Sequence, residues 1–238
     1  MWDERIPTFP LALEQAGYYI GFTYKVWSPV SPHPTPAQRA LPACCRTHRR
    51  SLAPRLQGRT HNAPMGGERT KHEAAGGDFA FFSHWVTANA PALGVAAAKE
   101  RLYSEVRENA RGFLKARAAA DPAAPFCYWW GPTNTHRTWE RGSGKELWDI
   151  DPDSLAGRLP AFMPDVHAIR EDVADYLGEC LAVDAGLGVL LEVLEEAGEL
   201  ERTLLVVSGD HGVPGMPRAK CCLCECDSAL DRSRPLSH

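Results

Sequence analysis

Two short stretches hold the side chains best suited to chemistry. One is Gly131-Pro132-Thr133-Asn134-Thr135-His136-Arg137, the other Ser208-Gly209-Asp210-His211-Gly212. Adjacent Asp210 and His211 supply an oxygen and a nitrogen ligand for a divalent cation. The flanking glycines let the backbone approach a bound group closely. A plainer reading stands beside this one. Asp and Gly are turn formers, and a histidine in a Pro/Asn loop is an ordinary solvated residue. Residue types alone therefore leave an α/β enzyme of unknown reaction.

What raises the interest of both stretches is where the elements place them. Pro125-Phe126-Cys127-Tyr128-Trp129-Trp130 is a continuous apolar run of strand length, the pattern of a strand covered on both faces. It runs straight into the His136 loop. Thr203-Leu204-Leu205-Val206-Val207-Ser208 reads likewise as a buried strand and ends at Asp210-His211. In open parallel sheets, ligands bind beyond the carboxyl ends of the strands. If both strands are parallel, His136, Asp210 and His211 project over one edge.

The remaining elements fit such a sheet. Residues 9–16 predict a short helix closed by Gly17. Tyr18–Thr23 follows as a strand, by its aromatic and β-branched content. From about Leu93 to Ala119, Val95, Ala98, Leu102, Val106, Ala110 and Phe113 recur at helical spacing. A second long helix is expected after Pro164, with Asp165 as its N-cap and Gly198 closing it. Its apolar stripe would be Val166, Ile169, Val173, Leu177, Leu181, Leu187, Leu191 and Leu194, with Asp184 a polar intrusion. Helix and strand alternate with short joints, which predicts an α/β fold: a mostly parallel sheet with helices on both faces.

Bulk properties narrow the partners. The 238 residues carry 26 basic and 30 acidic side chains, a formal charge of −4, which excludes a dedicated nucleic-acid binder. No run of about 18 apolar residues spans a membrane. Met1-Trp2-Asp3-Glu4-Arg5 lacks the apolar core of a signal peptide. Of the eight cysteines, only Cys127 and Cys180 lie in core-like sequence, and no disulfide framework is legible. Two segments break the α/β pattern. Residues 28–60 are rich in Pro, Arg and His, with six arginines and no acidic residue between 28 and 59. Residues 221–238 open on Cys221-Cys222-Leu223-Cys224-Glu225-Cys226. Both are expected to be disordered for lack of buriable apolar surface. A basic nucleic-acid patch in the first would need interleaved aromatics, and a zinc site in the second would need CxxC spacing.

Segment order and wording add a resemblance. Leu13-Glu14-Gln15-Ala16-Gly17-Tyr18-Tyr19-Ile20-Gly21-Phe22-Thr23-Tyr24-Lys25 resembles the "L-x-x-A-G-Y-x-T-G-x-x-G-K" segment of type I sulfatases, in the alkaline phosphatase superfamily. Val183-Asp184-Ala185-Gly186-Leu187-Gly188-Val189-Leu190-Leu191 and the gapless stretch from Glu196 to Gly212 are similar to its "L-D-x-x-V-G-x-L-L" and "G-x-x-D-N-T-L-V-V-x-x-S-D-H/N-G" signature. Residues 62–79 and Thr135-His136-Arg137-Thr138-Trp139 look most like the N-sulfoglucosamine sulfohydrolase-like branch. The resemblance covers roughly residues 9–27 and 61–220, so the expected parts are 1–27 and 61–220 of a sulfatase domain, the 28–60 insert and the 221–238 tail.

The resemblance implies a hydrolase of sulfate esters or sulfamates acting on a sulfated small molecule or glycan, with one calcium ion. It matches Asp210 and His211 to the last two metal ligands, and His136 and Lys220 to groups that hold the sulfate. Lys25 matches the lysine of "G-K-x-H", whose histidine is replaced here by Trp27. Cations around a sulfate offset the charge that develops on its oxygens and on the leaving atom. The family's nucleophile, a formylglycine made within C/S-x-P/A-x-R, belongs upstream of the "A-G-Y" segment, and nothing upstream of Leu13 offers it. Cys45-Arg46-Thr47-His48-Arg49 has the wrong third residue and the wrong order. The two N-terminal aspartate ligands are also absent. The expectation is a piece of a sulfatase with negligible turnover by itself. Two rivals remain: a zinc-dependent phosphodiesterase or phosphotransferase of the same superfamily, and a non-catalytic remnant that binds sulfated glycan.

Overall fold

Aromatic and β-branched residues make the centre of the sheet. A computed structural model describes residues 9–24, 71–73 and 77–209. Strand β1 is Tyr19–Tyr24, β2 is Lys71–Glu73 and β3 is Phe126–Gly131, in the order β2-β1-β3. Both pairings are parallel, with Gly21 opposite His72 and Tyr128. Two of the three strands read from the sequence and their parallel pairing hold among the described residues, and the helices beside them are compatible with the α/β class.

Alternation assigns the two faces. Tyr19, Gly21 and Thr23 share a face with their register partners Phe126, Tyr128 and Trp130. Phe113 lies on it, 4.8 Å centroid to centroid from Tyr128. A Cβ on Gly21 would come 2.2 Å from the Phe113 ring, so only glycine admits that ring. On the opposite face Ile20 and Phe22 are buried. There helix α1 (Phe9–Gln15) stacks Phe9 on Trp129 at 5.1 Å. Gly17, at φ 91°, ends α1 in the left-handed region as expected, its amide bonded to Glu14 O.

The broad core lies on the Phe113 side. A 3-10 turn, Phe79–Phe81, leads into α2 (Phe82–Leu93), and Gly94 at φ 81° breaks the chain before α3 (Val95–Ala120). Five of the six positions expected on the α3 stripe are buried: Ala98, Leu102, Val106, Ala110 and Phe113. After β3 come a short helix α4 (Ser143–Trp148), a 3-10 turn Pro152–Leu155, the long α5 (His167–Glu196) and a last turn Leu200–Arg202. Phe79, Phe82, Leu102, Val106 and Val193 bring these helices together.

Helix α5 corrects the expected stripe. Its buried side is Ala174, Asp175, Gly178, Glu179, Ala182, Gly186, Val189, Leu190 and Val193, whereas Val166, Leu177, Leu181 and Asp184 are exposed. The reason is steric. Cβ atoms on Gly178 and Gly186 would lie 2.8 Å from Trp148 and 2.7 Å from Phe79, and one on Gly144 of α4 would lie 2.3 Å from the Ala174 backbone. Large rings occupy the interior, so the helix turns its small residues to them. The N-cap is Val166, without a side-chain cap. Asp165 instead accepts from Gly157 N at 2.8 Å and pairs with Arg170. Gly198 does close the helix, at φ 67°.

Thr203–Ser208 is a second correction. It forms no strand among the described residues, and Leu204, Val206 and Val207 are 88, 77 and 70% exposed. An apolar β-branched run becomes a strand only where a partner edge accepts its hydrogen bonds. No described strand does so. The described residues up to Leu204 form one compact unit, and Leu205–Gly209 fall in another. The 28–60 insert and the 221–238 tail lie outside the described residues. No described helix is long and apolar enough to cross a membrane.

Candidate functional site

His136 sits in the connection that leaves the carboxyl end of β3, as the strand reading required. Each side of this loop is tied to a helix. On the α2 side, Asn134 Nδ2 donates to Phe79 O at 2.9 Å and Thr133 Oγ1 to Ala80 O at 3.4 Å. Further along, Glu140 N donates to Ser83 Oγ at 3.0 Å. His84 Nδ1 lies 2.8 Å from Glu140 Oε2, and its Nε2 3.2 Å from Thr138 O.

Helix α5 holds the other side. Arg137 makes a two-pronged ion pair with Asp172, its Nη1 2.6 Å from Oδ1, and lies over the Trp139 ring at 4.4 Å. Trp139 Nε1 donates to the same Asp172 oxygen at 3.3 Å. Arg141 pairs with Glu171 at 2.8 Å. Asp175 accepts from Gly142 N at 2.9 Å and Gly144 N at 2.7 Å, which fixes the start of α4. Between loop and helix lies an open cavity of about 340 Å³, lined among others by Arg137, Trp139, Arg141, Glu171 and Asp172.

Within this frame the His136 ring is oriented. Its backbone N–H donates to Thr133 O at 2.9 Å, and its Nδ1 bonds the carbonyl of Arg137. A carbonyl only accepts, so a hydrogen bond here has Nδ1–H as its donor.

Electrostatics beneath the loop run against ionisation. Burial pushes the Glu179 carboxyl above its usual range, although Ser83, Asn134 and His84 favour the charged form. Burial also raises Asp175, against the pull of the Gly144 and Gly142 amides. On the sheet side burial raises Glu105, which accepts from Tyr24 Oη at 2.8 Å and from Asp78 N at 3.2 Å. These three acids escaped the sequence reading, because a charged residue on a helix is ordinarily a solvated one. A signal was present: Asp175 and Glu179 share a face with Ala174, Gly178 and Ala182.

The other candidates fall elsewhere. Lys25, Asp210, His211 and Lys220 lie outside the described residues. Among the described residues no cluster of three or more His, Cys, Asp or Glu could hold a metal ion. The C/S-x-P/A-x-R pattern also proves less discriminating than its role suggests. Ser51-Leu52-Ala53-Pro54-Arg55 and Ser154-Leu155-Ala156-Gly157-Arg158 both spell it, and both follow the "A-G-Y" segment. Ser154 lies in the Pro152–Leu155 turn and donates its hydroxyl to Asp151 O at 2.6 Å.

Comparison with known proteins finds likeness over part of the chain. Over 62 residues, 26% of this chain, it is 36% identical to human N-sulphoglucosamine sulphohydrolase. A 62-residue stretch is 32% identical to an ulvan-active sulfatase of Formosa agariphila. Part of this chain is sulfatase-like. The matched stretches span 12% and 10% of those two proteins. No family model matches, and no solved structure does.

Proposed function

We propose that the chain is part of the catalytic domain of a sulfuric-ester or sulfamate hydrolase, built on an alkaline-phosphatase-like sheet. In this reading the β3 connection contributes to the sulfate site. The observation that supports it best is the combination of a sulfatase-like stretch with a His136 loop beyond the carboxyl end of a parallel strand. His136 would contact the sulfate and assist the departing oxygen or nitrogen. Lys25 and Lys220 would offset the sulfate charge, and Asp210 and His211 would hold calcium with ligands this chain lacks. The metal would supply charge neutralisation at the sulfate oxygens. The nucleophile has no candidate in the required order, so the chain alone would bind rather than turn over.

The test uses the full purified chain with inorganic sulfate, a sulfated disaccharide and an aryl sulfate, each with and without calcium. The expected result is saturable binding of sulfate or the disaccharide, lost in H136A, with no aryl sulfate hydrolysis. Equal binding by H136A removes the site. Calcium-dependent hydrolysis removes the claim that the chain lacks a nucleophile. Binding of two zinc ions with phosphodiester cleavage favours the phosphoryl-transfer alternative.

A further inference from the structure

Two attachments of the His136 loop lead back to one carboxyl group, that of Glu105 on α3. The first is where the loop leaves the sheet, at Gly131, the register partner of Tyr24 at the end of β1. Tyr24 has φ 66°, in the left-handed region, which a bulky residue adopts only where its surroundings hold it. Its ring is fixed at two points. It stacks on Phe79 at 5.9 Å, and its Oη donates to Glu105 Oε1 at 2.8 Å. Burial and the neighbouring Glu105 carboxyl hold the Tyr24 hydroxyl far above its usual range, so it stays protonated as a donor. The second attachment is Asn134, whose Nδ2 donates to Phe79 O at 2.9 Å. Asp78 opens that 3-10 turn without capping it through its own side chain. Glu105 supplies the acceptor instead: Asp78 N donates to Oε2 at 3.2 Å and Phe79 N to Oε1 at 3.4 Å.

We propose that Glu105 is a positioning residue for the His136 loop. One of its oxygens fixes Tyr24, the register partner of the first loop residue, and the other fixes the turn to which Asn134 is bonded. Three elements distant in sequence, β1, the Phe79–Phe81 turn and α3, thereby meet at a single carboxyl. Because the two attachments share that acceptor, removing it releases both together, while His136 keeps its own bonds to Thr133 and Arg137. The inference rests on the proposed function only in taking His136 as the group that contacts sulfate.

Nuclear magnetic resonance of isotope-labelled histidine rings in the full chain tests it. The chain has nine histidines, so H136A assigns the His136 signal. E105L removes both acceptors and is expected to shift that signal. E105Q keeps an acceptor for Asp78 N and a donor for Tyr24 Oη, and is expected to leave the signal close to the parent's. E199Q is the control for lost stability. It loosens Arg117, which donates to Glu199 Oε1 at 2.7 Å and to Ala124 O at 3.0 Å, at the opposite end of β3. It is expected to lower the melting temperature and leave the signal in place. An unmoved signal in E105L, or an equal shift in E199Q, overturns the proposal. Y24F, which removes one oxygen and keeps the stack on Phe79, takes the place of E105L if that variant does not fold. Titration with inorganic sulfate is the separate arm: binding weakened in E105L and restored in E105Q is expected, and equal binding by E105L overturns the positioning role. Failure of the parent to bind sulfate sinks the sulfatase reading and leaves the His136 signal to decide Glu105.

Discussion

Arg137 and Asp172 form a two-pronged ion pair that fastens the residue after His136 to helix α5. Arg137 also lies over the Trp139 ring, which itself donates to Asp172, so three side chains share one junction. Both partners are about one-third exposed, and solvent weakens such a pair.

The first prediction follows from that junction. R137K keeps the charge and loses the fork, so it is expected to cost about 0.5–1 kcal/mol of stability. Denaturant unfolding measures the cost. Trp139 fluorescence should shift in the same variant, since its ring loses the planar guanidinium stacked on it. An unchanged spectrum would mean that the junction does not hold the loop.

A second prediction concerns close approach. A methyl group on Gly144 meets the backbone of Ala174 at 2.3 Å, and backbone cannot yield as a side-chain tip can. G144A is expected to destabilise by at least about 1–3 kcal/mol. G17A, where a Cβ meets nothing within 4 Å, is strained only through its φ of 91° and should cost about 1 kcal/mol. Paired melting curves rank the two, and the reverse order would contradict the packing.

Stability should also depend on pH in an unusual direction. Glu105, Asp175 and Glu179 all bind a proton more tightly folded than unfolded, chiefly through burial. The native state then holds more protons than the unfolded one between the ordinary carboxyl pKa and the raised one. Stability therefore falls as pH rises through that window and is greater on its acid side. Melting temperatures taken from neutral pH downwards should first climb. E105Q and E179Q should each flatten the climb, and a monotonic fall would refute the assignment.

Calcium gives a fourth test. If Asp210 and His211 are ligands in a partial set, calcium should bind weakly, and D210N should abolish the binding without lowering the melting temperature of the metal-free chain. Isothermal titration with calcium chloride reads this directly. Tight binding unaffected by D210N would place the metal elsewhere.

Legibility from sequence varied with the kind of signal. Strands β1 and β3 were readable from their runs of aromatic and β-branched residues, and helix α3 because its apolar residues follow the helical period and are buried. Gly17 and Gly198 were readable because a left-handed cap favours glycine. Helix α2 was missed: His84, Asn89 and Pro91 interrupt its pattern, and its burial rests on Phe82, Ser83 and Val86 alone. The stripe on α5 was misread because hydrophobicity was taken as the measure of burial, where shape decided. Leu177 and Leu181 lost the interior to Gly178 and Ala182. Thr203–Ser208 had the composition of a strand, but an edge to pair with is not a property of the segment itself. At the site, the position of His136 was legible from the strand that precedes it. The carboxyls that organise its loop were not, since their partners Ser83, Gly142 and Gly144 are recognisable only once folded.

The run Ala174, Gly178, Ala182, Gly186 repeats its outline every four residues, so as a steric profile it is nearly the same after a slip of one or two turns. Rings from Trp148, Phe79 and Trp130 would find a similar trough at several settings of the helix. The acids interleaved with that trough do not share the ambiguity: Asp175 fits the two amides opening α4, and Glu179 fits Ser83. Shape decides which side of the helix faces inward, while two costly buried carboxyls decide how far along its axis it comes to rest.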